Sequence, residues 1–182
     1  FGIKIDQPEQ STYCVEAGQS YQAREYNIEG DASGASYLWA IAALTGSTIK
    51  LENINPNSAQ GDVAFVGILE RMGCKVAKDI DGQAITVQGP KQLKAINVDM
   101  ANMPDTAQTL AVLAAFAKGE TTITGLSTLK IKETDRLLAL QQELAKMSIQ
   151  TRIGSDFITI FGGEPRGAVI DTYDDHRMAM AF

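Results

Sequence analysis

The chain has 182 residues, 45% hydrophobic and 21% charged, with a net charge of -6. This is the make-up of an ordinary globular protein, long enough to bury a core without disulfide or metal staples. The acidic balance argues against a nucleic-acid surface, which needs clustered Lys and Arg in excess.

Cys14 and Cys74 stand alone, with no CxxC or Cys/His spacing around them. Neither a disulfide framework nor a zinc site is indicated, and a reducing, cytoplasmic setting is expected. No apolar stretch reaches the roughly 18–20 residues of a membrane span, so no membrane association is expected either.

In chain order, residues 1–25, with Gly2-Ile3-Lys4-Ile5 and Tyr13-Cys14-Val15, predict a hairpin closing a preceding structural unit. A first unit over 26–89 follows: a short strand at 27–29, a helix over 31–45, a strand over 47–53 and a helix over 61–73. Strands over 74–79 and 83–88, turning at Asp81-Gly82, complete it. A second unit over 90–163 repeats the order βαβαββ at 96–100, 105–118, 120–126, 132–147, 149–153 and 156–161. Residues 164–182 predict the start of a third unit, cut short in the apolar run Met178–Phe182, which reads as the first turns of a buried helix in a longer polypeptide.

The repeat is visible in the residues themselves. Asp31-Ala32-Ser33 returns 74 residues later as Asp105-Thr106-Ala107, and Ile85-Thr86-Val87 returns 73 later as Ile158-Thr159-Ile160, each followed two residues on by Gly. A third copy begins at Asp175, 70 residues after Asp105.

The first helix of each unit, Tyr37–Leu44 and Leu110–Ala117, has no polar face, which predicts burial all round. Only its ends are then free to meet a ligand, and the N-terminal end offers unpaired N–H groups and the positive end of the dipole. Asp31, Asp105 and Asp175 stand there, as caps or as site residues.

Three groups of residues carry candidate chemistry. Lys132-Glu133-Thr134-Asp135-Arg136 opens a predicted helix, with Lys132 and Arg136 one turn apart on one face. A solvated cluster of salt bridges, Lys132 with Asp135 and Glu133 with Arg136, is the plainer reading, but the equivalent helix at Gly61-Asp62-Val63 has no such run. Asp175-His176-Arg177 puts an arginine where the helix dipole disfavours it, which points to an anion, and its guanidinium suits a two-pronged grip on phosphate or carboxylate. Pro104-Asp105 completes the set: two carboxylates, Asp105 and Glu133, among three cations are equipped to move protons while holding anions.

These segments, Met103-Pro104-Asp105, Ile131–Leu137 and Asp175–Met180, with Glu29–Ser33, resemble the signature segments of the 5-enolpyruvylshikimate-3-phosphate synthase family. The resemblance runs through essentially the whole chain but implies less than half of a complete member. It implies an α/β (α+β) fold of repeated βαβαββ units, the enolpyruvyl-transferase inside-out barrel, here incomplete, with residues 1–25 belonging to the other domain. The implied activity is transfer of the enolpyruvyl group of phosphoenolpyruvate to the 5-hydroxyl of shikimate 3-phosphate in aromatic amino-acid biosynthesis, without metal or organic cofactor.

By matching positions, Asp105 would accept the hydroxyl proton, Glu133 would protonate the methylene carbon, and Lys132 would touch both substrates. Arg136 and Arg177 would hold phosphoenolpyruvate, with His176 beside them. Thr128 would be a shikimate 3-phosphate contact, standing where many members carry Asn, and Asp174 also replaces a common Asn. The missing N-terminal and C-terminal segments of the same protein would supply the rest of the cleft, so the chain by itself is expected to be inactive. The alternatives are a UDP-N-acetylglucosamine enolpyruvyl transferase, which shares fold and donor, and a non-catalytic anion-binding module.

Overall fold

The computed structural model describes residues 1–182. Strands β1 (Asp6–Glu9) and β2 (Thr12–Cys14) form an antiparallel hairpin that pairs with no other strand. Its apolar side chains Ile5, Tyr13 and Val15 are exposed.

Helix α1 (Ala32–Thr45) begins at Asp31, whose carboxylate accepts from the amides of Ser33 and Gly34 at 3.0 Å each. It ends at Gly46, in the left-handed conformation (φ 68) that favours glycine at this position. After β3 (Thr48–Leu51), a 3-10 turn at Gly61–Ala64 leads into α2 (Phe65–Arg71), then β4 (Lys75–Asp79) and β5 (Ala84–Gln88). The sheet order is β3-β5-β4, all antiparallel.

The second unit runs β6 (Asn97–Asp99), α3 (Ala107–Phe116), β7 (Gly119–Thr124), α4 (Arg136–Lys146), β8 (Gln150–Ile153) and β9 (Ile158–Gly162). Its sheet order is β6-β7-β9-β8, with β6 parallel to β7 and the rest antiparallel. The sequence expectation of βαβαββ therefore holds for this unit. Helix α5 (His176–Ala181) follows.

The first unit departs from the expectation in one element: residues 27–29 join no ladder. The segment does run beside β3, through Gly30 N–H to the Asn53 carbonyl (2.6 Å) and Asn53 Nδ2 to the Ile28 carbonyl (3.3 Å). Ile28 is exposed, so no apolar side chain pins a register.

One continuous core spans both units, from Ala32 to Met178. Helix α3 is buried from Ala107 through Ala115, as an apolar helix must be. Helix α1 is not: Leu38 (44%), Ile41 (49%) and Leu44 (38%) form an exposed stripe. That stripe faces a groove shared with Val112, Phe116 and Met180. The expected burial on all sides therefore fails for α1 on this one face. The two helices meet at equivalent positions, Ser36 Oγ lying 3.3 Å from Thr109 Oγ1, 73 residues on. No helix is long and apolar enough to cross a membrane.

The repeated glycine has a packing cause. A Cβ on Gly89 would lie 2.0 Å from the Ala42 carbonyl oxygen, and one on Gly162 would lie 2.1 Å from that of Ala117. In both units the last strand thus runs against the carbonyl end of the buried helix, closer than any side chain allows. Gly162→Ala is expected to lower stability by about 1–3 kcal/mol through overpacking, read as a lower urea midpoint. Gly163→Ala, where a Cβ meets nothing within 4 Å, serves as the control and should leave the midpoint in place.

Candidate functional site

The site assembles around a buried guanidinium. Arg136, the first residue of α4, is 1% exposed. Its Nε donates to Asp175 Oδ2 at 2.7 Å, and its Nη2 donates to Asp175 Oδ1 at 3.1 Å and to Glu133 Oε2 at 2.7 Å. Its Nη1 reaches Asp105 Oδ1 at 3.4 Å. A charge so placed is tolerable only when paired and hydrogen-bonded, and the planar fork meets that need with several carboxylates at once.

Asp105 is the second node. Arg177 Nη2 lies 3.1 Å from its Oδ2, Arg177 Nη1 donates to its main-chain oxygen at 3.2 Å, and Lys132 Nζ lies 3.5 Å from its Oδ1. His176 Nδ1 is 3.8 Å from Glu133 Oε1. Six of the seven expected site residues, Asp105, Lys132, Glu133, Arg136, His176 and Arg177, are therefore brought together from three stretches of chain. The seventh, Thr128, lies on an upstream 3-10 turn (Ser127–Ile131), is exposed, and hydrogen-bonds to none of the six.

Two expectations about local structure are corrected. First, Lys132 is not on a helix: it is extended (φ -88, ψ -156), and α4 starts only at Arg136. Lys132 and Arg136 thus do not stack a turn apart, and Lys132 pairs with Asp105 rather than Asp135. The reason is that Asp135 caps α4 by accepting from Leu138 N–H at 3.1 Å, which fixes the helix start there. The Glu133–Arg136 pair does form, but against a buried guanidinium rather than in solvent.

Second, Asp105 caps no helix. Pro104–Thr106 is a 3-10 turn with Thr106 before α3, and the Asp105 carboxylate points at the cations instead. The Arg177 guanidinium at the start of α5 faces the carboxylate of Asp105.

Asp175 stands at the start of α5, where the sequence leaves it as a cap or a site residue. It caps α5, accepting from Arg177 N–H at 2.9 Å and Met178 N–H at 3.4 Å, and also takes both bonds from Arg136. Burial by itself would raise its carboxyl, but Arg136 and the two amides outweigh that and hold it below the usual Asp range. The two residues before it, Tyr173 (φ 57) and Asp174 (φ 52), are left-handed. Asn and Asp tolerate that conformation best among residues with a Cβ, which accounts for Asp at position 174 in place of Asn. Tyr37 of α1 also approaches the cluster: burial pushes its phenol up, while Arg177 and Arg136 pull it the other way.

With this geometry in view, relatives can be placed. A family profile for EPSP synthase (3-phosphoshikimate 1-carboxyvinyltransferase) matches residues 1–182. The chain belongs to the EPSP synthase family.

Among relatives, the 3-phosphoshikimate 1-carboxyvinyltransferase of Methanoculleus marisnigri is 43% identical over 182 residues, covering 100% of this chain and 43% of that protein. The chloroplastic enzyme of that name from Arabidopsis thaliana is 44% identical, covering 100% and 36% respectively. The EPSP synthase structure from Acinetobacter baumannii superposes with a TM-score of 0.81 at 28% identity, covering 100% of this chain and 44% of that one. The chain thus has the EPSP synthase fold in part and spans less than half the length of these relatives.

The depressed Asp175 carboxyl has a pH consequence. Its folded-state value lies below its unfolded one, so the stability it contributes is full above the ordinary Asp value and is lost as pH falls through the folded value. Asp175→Asn is expected to cost about 3–5 kcal/mol at pH 7, because Arg136 stays buried without the one carboxylate that is buried with it. Urea unfolding as a function of pH should show the wild type losing stability below about pH 4, with the variant losing less over the same interval.

Proposed function

We propose that the residues gathered on Asp105 and Arg136 form one wall of an enolpyruvyl-transfer site, where phosphoenolpyruvate and shikimate 3-phosphate react. The observation that carries this reading is the placement of two carboxylates, Asp105 and Glu133, on the two terminal nitrogens of one immobilised guanidinium, with Lys132, His176 and Arg177 around them. Acid–base work needs the first pair, and charge stabilisation needs the others.

Transfer of an intact enolpyruvyl group requires addition followed by elimination. The 5-hydroxyl oxygen bonds to C2 of phosphoenolpyruvate, its proton goes to Asp105, and Glu133 gives a proton to the methylene carbon. In the tetrahedral species so formed, the C2–O bond to phosphate then breaks. A proton leaves the new methyl group, the double bond reforms and inorganic phosphate departs.

Exposure divides the labour among the basic side chains. Arg136 is committed to protein carboxylates, whereas Arg177 (16% exposed), Lys132 (34%) and His176 (63%) open to solvent and meet the substrate first. Three cations face three carboxylates, Asp105, Glu133 and Asp175, so this wall has no surplus positive charge for two phosphorylated substrates. The remainder of a full-length protein would supply it. The isolated 182-residue chain is therefore expected to release no phosphate from the two substrates.

In a full-length protein carrying this segment, Glu133→Gln tests the assignment. Phosphate release in the steady state should fall by about 100-fold or more with both substrates still bound. A variant that keeps near wild-type turnover would instead support the anion-binding module without catalysis.

A further inference from the structure

A second buried acid lies on the same face of α4 as Arg136. Glu143, seven residues on and hence two turns away, has a fully buried side chain. Its Oε1 accepts from the Tyr173 hydroxyl at 2.6 Å, and its Oε2 accepts from the Asp171 amide at 3.0 Å and from Lys146 Nζ at 2.8 Å. Lys146 also pairs with Asp171 at 2.7 Å. Gln142 Oε1 lies 2.7 Å from the same phenol oxygen, but one phenolic proton serves one acceptor, and the carboxylate is the stronger.

Burial by itself would raise the Glu143 carboxyl, yet Lys146, Tyr173 and the Asp171 amide together hold it below the ordinary Glu value, while burial and Glu143 push the Tyr173 phenol up to about 12. None of these groups touches the cluster around Asp105.

What they do hold is the segment that delivers it. Residues 171–175 lie along α4, tied at one end by Glu143 and at the other by the Arg136–Asp175 pair. Between the ties sit Tyr173 and Asp174, two successive left-handed residues with side chains. That conformation persists only where the surroundings impose it. Asp175, Arg177 and His176 follow at once, so the aim of Arg177 at Asp105 depends on this turn.

We propose that Glu143, acting through Tyr173, is a positioning residue for the phosphoenolpyruvate grip: it locks the left-handed turn that sets the orientation of Arg177 and His176. The proposal rests on the functional reading above for its substrate consequence only.

The test uses Glu143→Gln in a full-length protein carrying the segment. The KM for phosphoenolpyruvate should rise about tenfold or more, while that for shikimate 3-phosphate moves by less than about threefold. Amide hydrogen exchange at Arg177 and Met178, whose N–H groups donate to Asp175, should quicken about tenfold or more, with the amides of β7 and β9 unchanged. Tyr173→Phe should reproduce both effects in weaker form, since the carboxylate keeps its other two donors. Unchanged exchange at both amides, uniform quickening across the sheet, or equal change in the two KM values overturns the proposal. A wild-type protein without turnover would sink the functional reading, and the exchange result alone would then decide the positioning role.

Discussion

The need to pair one buried arginine governs this structure. Arg136 cannot leave water without carboxylates around it, and the chain provides them from three places: Glu133 just upstream, Asp105 ahead of α3, and Asp175 ahead of α5. Each pairing fixes a joint between elements. Asp175 ties α5 to α4, Asp105 ties the entry of α3 to that of α4, and Glu133 is held where His176 also reaches it. A lysine would carry the charge, but a single ammonium lacks the rigid set of donors that engages both oxygens of Asp175 while serving two further carboxylates.

The repeat supplies a scaffold on which equivalent residues take different work. Asp31 is a helix cap; Asp105 caps nothing and faces three cations; Asp175 both caps α5 and grips Arg136. The parts that stay equal between units are the packing ones: the buried helices touching at Ser36 and Thr109, and the glycines at 89 and 162 pressed against helix carbonyls. Symmetry is thus kept where atoms are crowded and given up where charge is gathered.

The sequence pattern reached far into this arrangement. Period, repeat spacing and apolar helices were enough to place the second unit element by element, because each is a local signal reinforced by its copy. The start of α4 lies at Arg136 rather than at 132: Asp135 is a cap in the middle of a charged run, and helical spacing alone does not reveal which acid in such a run does the capping. The segment at 27–29 reads as a strand, but with Ile28 in solvent nothing anchors it in a ladder.

The gathering of Asp105, Glu133 and the cations was legible from residue type, yet the buried state of Arg136 and the grip of Asp175 were not, since both depend on partners 39 residues apart. One local signal does point to the burial. Arg136 and Glu143 lie on the same stripe of α4 as Leu140 and Leu144, and charged residues among core positions call for dedicated partners.

The most direct test of the central role of Arg136 is a double-mutant cycle with Asp175, using Arg136→Met and Asp175→Asn and reading stability from urea unfolding at pH 7. A coupling of about 2 kcal/mol or more is expected, because either change alone strands a buried charge and the two together remove both charges. Additivity within about 0.5 kcal/mol would contradict the account, since it would mean that the two residues sit side by side without holding the structure together.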